Sequence, residues 1–285
     1  MNLHIIADSA CDLPINYFEE HALSFLPLNV DLNGDQRQDQ KDIKPKQLYD
    51  AMREGIVVKT SQASPLQFKE LFTDLASKGI PSLYVALSSE LSGTYQTAMM
   101  IRNEVLEEFP NFELMIIDSK CVTLGLGLAV KYATDLAESG KTLSEVEVAV
   151  RNFCIKMEQI CTVDDLEYLA RGGRISKASA FVGGLLNIKP LLHIENGKLV
   201  PLEKIRGRKK MFRRLIEIMK ERGVNLQNQT IAISHGDDEE AANTMKAMIE
   251  EEFSPKGIYI NYIGAAVGAH SGPGTLAIFF LNDEL

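Results

Sequence analysis

The chain has 285 residues, 45% of them hydrophobic, with a mean hydropathy of −0.05 and a formal charge of −9. Those values exclude disordered and fibrous classes and leave enough chain for two domains with a sizeable core. With no basic leader before Leu3-His4-Ile5-Ile6-Ala7 and no apolar run long enough to cross a bilayer, the chain reads as a soluble cytoplasmic protein without stable membrane insertion.

Leu3 to Ala7 reads as a short strand ending in Asp8-Ser9, and Pro14 precedes a helix-like Ile15 to His21. Phe25 to Leu32 reads as one further strand, closed by the turn signal Asn33-Gly34, and Lys46 to Arg53 has helical periodicity. Ser64-Pro65-Leu66-Gln67 predicts a capping box that opens a helix to about Lys78, with proline at the first helical position. Leu83 to Leu87 is a buried-type strand, Ser92 or a neighbour caps a helix from Thr94 to Glu108, and Leu114 to Ile117 is a strand ending in Asp118-Ser119. Helices follow from about Leu124 to Glu138 and from Ser144 to Met157. Strand, turn and helix in repeated order predict an α/β fold whose N-terminal domain, residues 1–158, is a three-layer α/β/α unit with a mostly parallel sheet. Ligands then belong at the carboxyl ends of the strands, where Thr60 and Ser92 are both expected.

The pattern changes near Gln159. Arg171-Gly172-Gly173-Arg174 reads as a turn, Phe181 to Leu186 is apolar, and Leu191 to Ile194 with Leu199 to Leu202 flank Asn196-Gly197, a strong hairpin signal. An amphipathic basic helix from Arg206 to Arg222 follows, then a strand at Thr230 to Ser234, a helix around Glu239 to Glu251, and strands at Gly257 to Tyr262 and Leu276 to Leu281. Residues 159–285 therefore read as a smaller α+β domain carrying the basic region and the His270 loop, and the cleft between the domains is the expected ligand site.

Charge is uneven along the chain. Residues 171–222 hold fourteen Lys or Arg against four Glu and no Asp, a local +10 that leaves −19 for the remainder. This stretch is either a solvated helix face or a docking surface for a negatively charged partner or phosphate. The four cysteines, Cys11, Cys121, Cys154 and Cys161, form no Cys-x-x-Cys pair and have no histidine companions, so they read as reduced thiols and not as a metal site.

Two hydroxyl-rich turns, Thr60-Ser61-Gln62-Ala63-Ser64-Pro65 and Leu87-Ser88-Ser89-Glu90-Leu91-Ser92-Gly93-Thr94, each lead from a strand-like run into a helix. Free N–H groups and partial positive charge at a helix start suit a small anion, and the Thr60 and Ser92 hydroxyls add donors. The plainer reading makes both residues helix caps, but two such turns, each longer than a cap requires, point equally to a site. His270, inside the glycine-dense stretch Gly264 to Gly274, is either a structural histidine or a donor to a ligand that approaches the backbone closely. The other histidines read as structural.

Nucleotide motifs fail. Gly140-Lys141-Thr142 imitates the end of a phosphate-binding loop, but Asp135 stands where its first glycine belongs. Gly125-Leu126-Gly127 lacks the third glycine of a dinucleotide fingerprint, Val130 being there instead, and no Gly-x-Ser-x-Gly elbow occurs.

Asp8-Ser9, Thr60-Ser61-Gln62, Leu91-Ser92-Gly93-Thr94, Arg171-Gly172-Gly173-Arg174-Ile175-Ser176 and His270-Ser271-Gly272-Pro273-Gly274 together resemble the signature segments of the DegV family, in order and over essentially the whole chain. The resemblance implies a two-domain fatty-acid-binding protein with no catalysis of its own and no cofactor. It would present a long-chain fatty acid to a separate ATP-binding fatty acid kinase subunit, which makes the acyl phosphate for phospholipid synthesis. It further implies that Thr60, Ser61, Ser92, Gly93 and His270 hold the carboxylate, and that Arg174 and Arg206 contact the kinase subunit. Ala63 departs from the family pattern, which has proline after Thr-Ser-Gln; the change loosens the turn more than it alters the chemistry. A sixteen-carbon chain would gain roughly 11 kcal/mol from its methylenes, against about 1.5 to 3 for each hydrogen bond to the charged head. The tail supplies affinity and the head sets orientation.

Two other classes compete. A hydrolase or acyltransferase would use Ser92 as nucleophile and His270 as base, and would need a residue to orient the histidine. Nucleic-acid binding through residues 171–222 is opposed by the overall charge of −9 and by the scarcity of aromatic residues there.

Overall fold

The computed structural model describes residues 3–175 and 187–285. The expected apolar run Phe181 to Leu186 and Ser176 lie outside them. In chain order the elements of the first half are β1 (His4–Asp8), a 3-10 turn (Ser9–Cys11), α1 (Ile15–Glu20), β2 (Ser24–Leu26), β3 (Asn29–Leu32), β4 (Asp35–Gln38), α2 (Pro45–Arg53), β5 (Val58–Ser61), α3 (Pro65–Ser77), β6 (Ser82–Ala86), α4 (Thr94–Glu108), β7 (Leu114–Asp118), α5 (Thr123–Glu138) and α6 (Leu143–Ile155). The second half contains β8 (Met157–Thr162), α7 (Leu166–Gly172), β9 (Ile188–Glu195), β10 (Lys198–Arg206), α8 (Arg208–Arg222), a 3-10 turn (Leu226–Asn228), β11 (Thr230–His235), α9 (Glu239–Phe253), β12 (Gly257–Tyr262), α10 (Ala265–Ser271) and β13 (Leu276–Leu281).

The expected α/β architecture is present. A parallel sheet runs β2-β1-β6-β7, and strand alternation sends its side chains to two helical layers. Ile5, Ala7, Leu83 and Val85 pack with Leu124, Leu128 and Ala129 of α5, whereas Ile6, Tyr84 and Ala86 pack with Phe68 and Phe72 of α3 and Ala98 and Ile101 of α4. A mixed six-stranded sheet runs β10-β9-β8-β13-β11-β12. One of its faces meets α8 and α9 through Leu215, Met219 and Met245, and the other offers Ala232, Ala277 and Phe279 toward α5. Helix α5 thus lies between the two sheets, which explains why its first eight residues are all buried.

The stretch from Phe25 to Leu32 is not one strand. Pro27 has no N–H for a ladder bond, and there the chain leaves the parallel sheet: β2 pairs with β1, while β3 joins a separate antiparallel sheet β4-β3-β5. Thr60, opposite Val30 on β5, therefore lies on that small sheet and not at the end of a parallel strand. The capping box expected at Ser64 does not form either. No side-chain bond caps α3 there and Gln67 Oε1 is buried without a partner, so Pro65 at the first position carries the start of the helix. Among the described residues no helix is long and apolar enough to cross a membrane.

The hairpin signal is realised as read: Asn196 and Gly197, with φ of 50° and 82°, join β9 to β10 by a two-residue turn. Its tip reaches the first sheet, where Ser88 Oγ donates to Gly197 O at 2.8 Å.

Candidate functional site

Asp8 and Ser9 are the scaffold of the site. The buried Asp8 carboxyl accepts bonds from Tyr84 Oη at 2.7 Å, Leu87 N at 2.9 Å and Ala10 N at 3.1 Å, which fixes the end of β6 and the start of the Leu87–Thr94 turn. Burial pushes its pKa up to about 6 in spite of those donors. Ser9 Oγ accepts from Leu28 N at 3.1 Å and so holds the chain where it crosses to the small sheet.

The segment read as a glycine-rich loop is largely helix α10, and two buried acids hold its start. Asp12 Oδ1 accepts from Gly264 N and Asp39 Oδ1 from Ala265 N, each at 2.9 Å. Burial raises the pKa of Asp39 to about 6, and burial together with the neighbouring Asp39 raises that of Asp12 well above the carboxylate range. Near the far end of α10, His270 Nε2 lies 2.6 Å from Thr60 Oγ1. Burial, assisted by the positive charge of Arg174, pushes the imidazole down to about 4, so the ring is neutral near pH 7. Gly172, read as part of a turn, belongs to α7; a Cβ there would collide with His270 Nδ1.

Ser92 sits in the turn before α4. Its Oγ accepts from Thr94 N at 3.3 Å and lies 2.9 Å from Thr94 Oγ1, while Gly93, the N-cap residue, provides no side-chain cap. Beyond the Thr94 amide, the other amides of the first turn of α4 have no side-chain cap and are left open to an anion. Gln62 Oε1 lies 2.5 Å from where a Cβ on Gly93 would stand, so the two hydroxyl turns meet side by side.

Thr60, Ser61, Ser92, Gly93 and His270 all line one cavity of about 520 Å³. Most of its remaining wall is apolar and includes Leu28 and Leu87, which flank β3 and β6, Ile194, Leu199, Ala277 and Phe279 of the six-stranded sheet, and Ala266 and Val267 of α10. A cluster of hydroxyls and an imidazole in a mostly apolar wall suits an amphiphile with a single anionic group. Gln159 is one of several polar residues in the wall, with Gln62, Thr123, Ser271 and Thr275, and it is satisfied: Oε1 accepts from Val122 N at 3.0 Å and Nε2 donates to Lys120 O at 3.2 Å. Nothing in the sequence marks that residue as part of a site.

The two arginines part company. Arg174 lines the cavity, with Nε donating to Leu91 O at 3.1 Å and Nη1 to Gly172 O at 2.5 Å. Arg206, at the end of β10, is exposed and away from the cavity lining. His270 faces the Thr60 hydroxyl and has no carboxylate partner among the described residues, an arrangement unlike a serine nucleophile with an oriented base. Among the described residues no group of three or more His, Cys, Asp or Glu is placed to share a metal ion.

A family model described as "Uncharacterised protein, DegV family" matches residues 2–283. A DegV domain-containing protein of Clostridium perfringens is 40% identical over 282 residues, which cover 98% of this chain and 97% of that protein. Among solved structures, a fatty-acid-binding DegV family protein of Thermus thermophilus superposes with a TM-score of 0.91 at 28% identity, over 99% of this chain and 100% of the other. DegV of Bacillus subtilis, described as a fatty acid binding protein, gives a TM-score of 0.86 at 28% identity, with coverage of 99% and 100%.

Proposed function

The chain belongs to the DegV family, and from that premise we propose that it binds a long-chain fatty acid and presents the carboxylate to a separate ATP-dependent kinase subunit. The acyl phosphate so formed would feed phospholipid synthesis, and the chain would act as carrier without catalysis of its own. The observation that carries the ligand class is the Thr60–His270 pair in the wall of a largely apolar cavity. The description of the Thermus thermophilus and Bacillus subtilis structures as fatty-acid-binding supports the same reading.

With the proton of the neutral imidazole on Nε2, His270 donates to Thr60 Oγ1 and leaves the threonine hydroxyl to donate to a carboxylate. Ser92 and the open amides of α4 supply further donors, with Ser61 and Gly93 beside them. Arg174 adds positive charge from the cavity wall, which in this reading makes it a neighbour of the ligand as well as of the kinase contact first assigned to it. Arg206, exposed on β10, stays a candidate for the partner surface. Residues 1–158 would then carry the hydroxyl turns, and residues 159–285 the histidine and the basic face.

Organic extraction of the purified protein followed by mass spectrometry tests the ligand. Recovery of a long-chain acid in near-stoichiometric amount is expected; a protein that yields none and fails to take up added palmitate ends the proposal.

A further inference from the structure

Among the described residues, Ser271 Oγ is the one buried side-chain oxygen in the wall of the lipid cavity that has no hydrogen-bond partner. Its polar neighbours in that wall are engaged. Thr275 Oγ1 shares its proton between Ser271 O at 2.9 Å and Gly272 O at 2.8 Å, Gln159 bonds through both ends of its amide, and Thr123 Oγ1 accepts from Ser234 Oγ at 3.4 Å. Buried hydroxyls are normally paired, because an unmet one carries its full desolvation cost.

Ser271 is the last residue of α10 and follows His270, about 3.8 Å away at Cα. His270 also borders the pocket at the cavity mouth, together with Thr60 and Arg174, and Ser271 does not. Ser271 therefore faces the interior alone, past the point where Thr60 and His270 meet a carboxylate in the reading above. A plain hydrocarbon offers that hydroxyl nothing: when palmitate displaces water from the cavity, Ser271 Oγ gives up its hydration and gains no bond in return. An oxygen on one of the first carbons of the acyl chain supplies the missing partner, either a hydroxyl, which both donates and accepts, or a keto group, which accepts. We infer that Ser271 is a specificity residue, and that the cavity takes long-chain acids oxygenated near the carboxyl end in preference to their unsubstituted counterparts. The inference rests on the fatty-acid reading and adds the substituent to it.

Calorimetry on the full-length protein with palmitate and with 3-hydroxypalmitate tests it. The natural protein is expected to bind 3-hydroxypalmitate about three- to tenfold more tightly than palmitate. Ser271→Ala should reverse that order: 3-hydroxypalmitate weakens about tenfold, whereas palmitate tightens roughly threefold because alanine has no hydroxyl to desolvate. Continued binding of palmitate also shows that the variant is folded. A ratio of the two affinities left unchanged by the substitution overturns the inference, whether both ligands weaken, as they would if Ser271 gripped the carboxylate, or both tighten. A natural protein without preference for 3-hydroxypalmitate overturns it as well. Either result leaves the fatty-acid reading standing, which fails only if the natural protein binds neither acid.

Discussion

Thr60 Oγ1 and His270 Nε2, 210 positions apart in the chain, stand 2.6 Å from each other. The pair ties the edge of the small antiparallel sheet to α10 and places a neutral ring in the wall of the cavity. NMR titration of the ligand-free protein should give His270 a midpoint near 4, and bound fatty acid should raise it, since a nearby carboxylate favours imidazolium. A midpoint near the ordinary 6.5 would contradict the burial argument. Because the folded-state value lies below the unfolded one, the associated stability is present above pH 6.5 and is lost as pH falls through 4. The loss is on the order of 1–2 kcal/mol once the ring's partial exposure is allowed for.

Two glycines near the site should respond differently to one added methyl. Gly172→Ala drives a Cβ into the imidazole and should break the Thr60–His270 contact, visible as a large shift of the His270 resonances even though alanine favours the helix. Gly93→Ala meets only the end of the Gln62 amide, which can turn aside, so ligand affinity should change by less than about 1 kcal/mol. Equal tolerance at both positions would show that the packing against His270 is loose.

Polar and apolar parts of the cavity should separate in function. If the proposed function holds, Ser92→Ala and Thr60→Val each remove one hydrogen bond to the head group, about 1.5 to 3 kcal/mol, and should impair phosphoryl transfer by the proposed kinase subunit more than retention of lipid. Ser92→Ala protein that emerges from purification without lipid would reverse the assignment of affinity to the tail.

Ala277→Leu narrows the apolar part of the cavity. At about 0.8 kcal/mol per buried methylene, displacing two or three of them should cost long acids roughly 2 kcal/mol and shift the preference toward shorter chains in a competition experiment. An unchanged chain-length ranking would place the tail elsewhere.

Much of this architecture could be read in advance, for identifiable reasons. β1, β6 and β7 are apolar runs bounded by turn signals, and burial on two faces leaves such strands little ambiguity. The small sheet was hidden because β4 and β5, Asp-Gln-Arg-Gln and Val-Lys-Thr-Ser, carry no core pattern of their own. α10 was hidden by its glycines, since Gly268 lies in mid-helix where Tyr49 Oη and Leu48 pack close against it. Thr60, Ser92 and His270 stood out as hydroxyls and imidazole in turn-like settings. The place of Arg174 in the cavity wall did not, because it depends on the carbonyl of Leu91, distant in sequence.

The acids beneath α10 predict a second pH effect, opposite in sign to that of His270. Asp39 has a folded-state pKa of about 6 against an ordinary 3.8, so its contribution is complete below 3.8 and is lost as pH rises through 6. Thermal unfolding of the natural chain should therefore show a loss of about 1–3 kcal/mol from this group between about pH 4 and 7. Asp39→Asn, which keeps an acceptor for Ala265 N, should flatten that decline. An unaltered pH profile would mean that the carboxyl is ionised in place throughout.

β13 enters the six-stranded sheet between β8 and β11, and Ala277 and Phe279 on it close one wall of the cavity. During synthesis on the ribosome, β8 and β11 emerge before the strand that separates them. Until it arrives, Ala277 and Phe279 are missing from the wall, so the cavity closes only once β13 has been made.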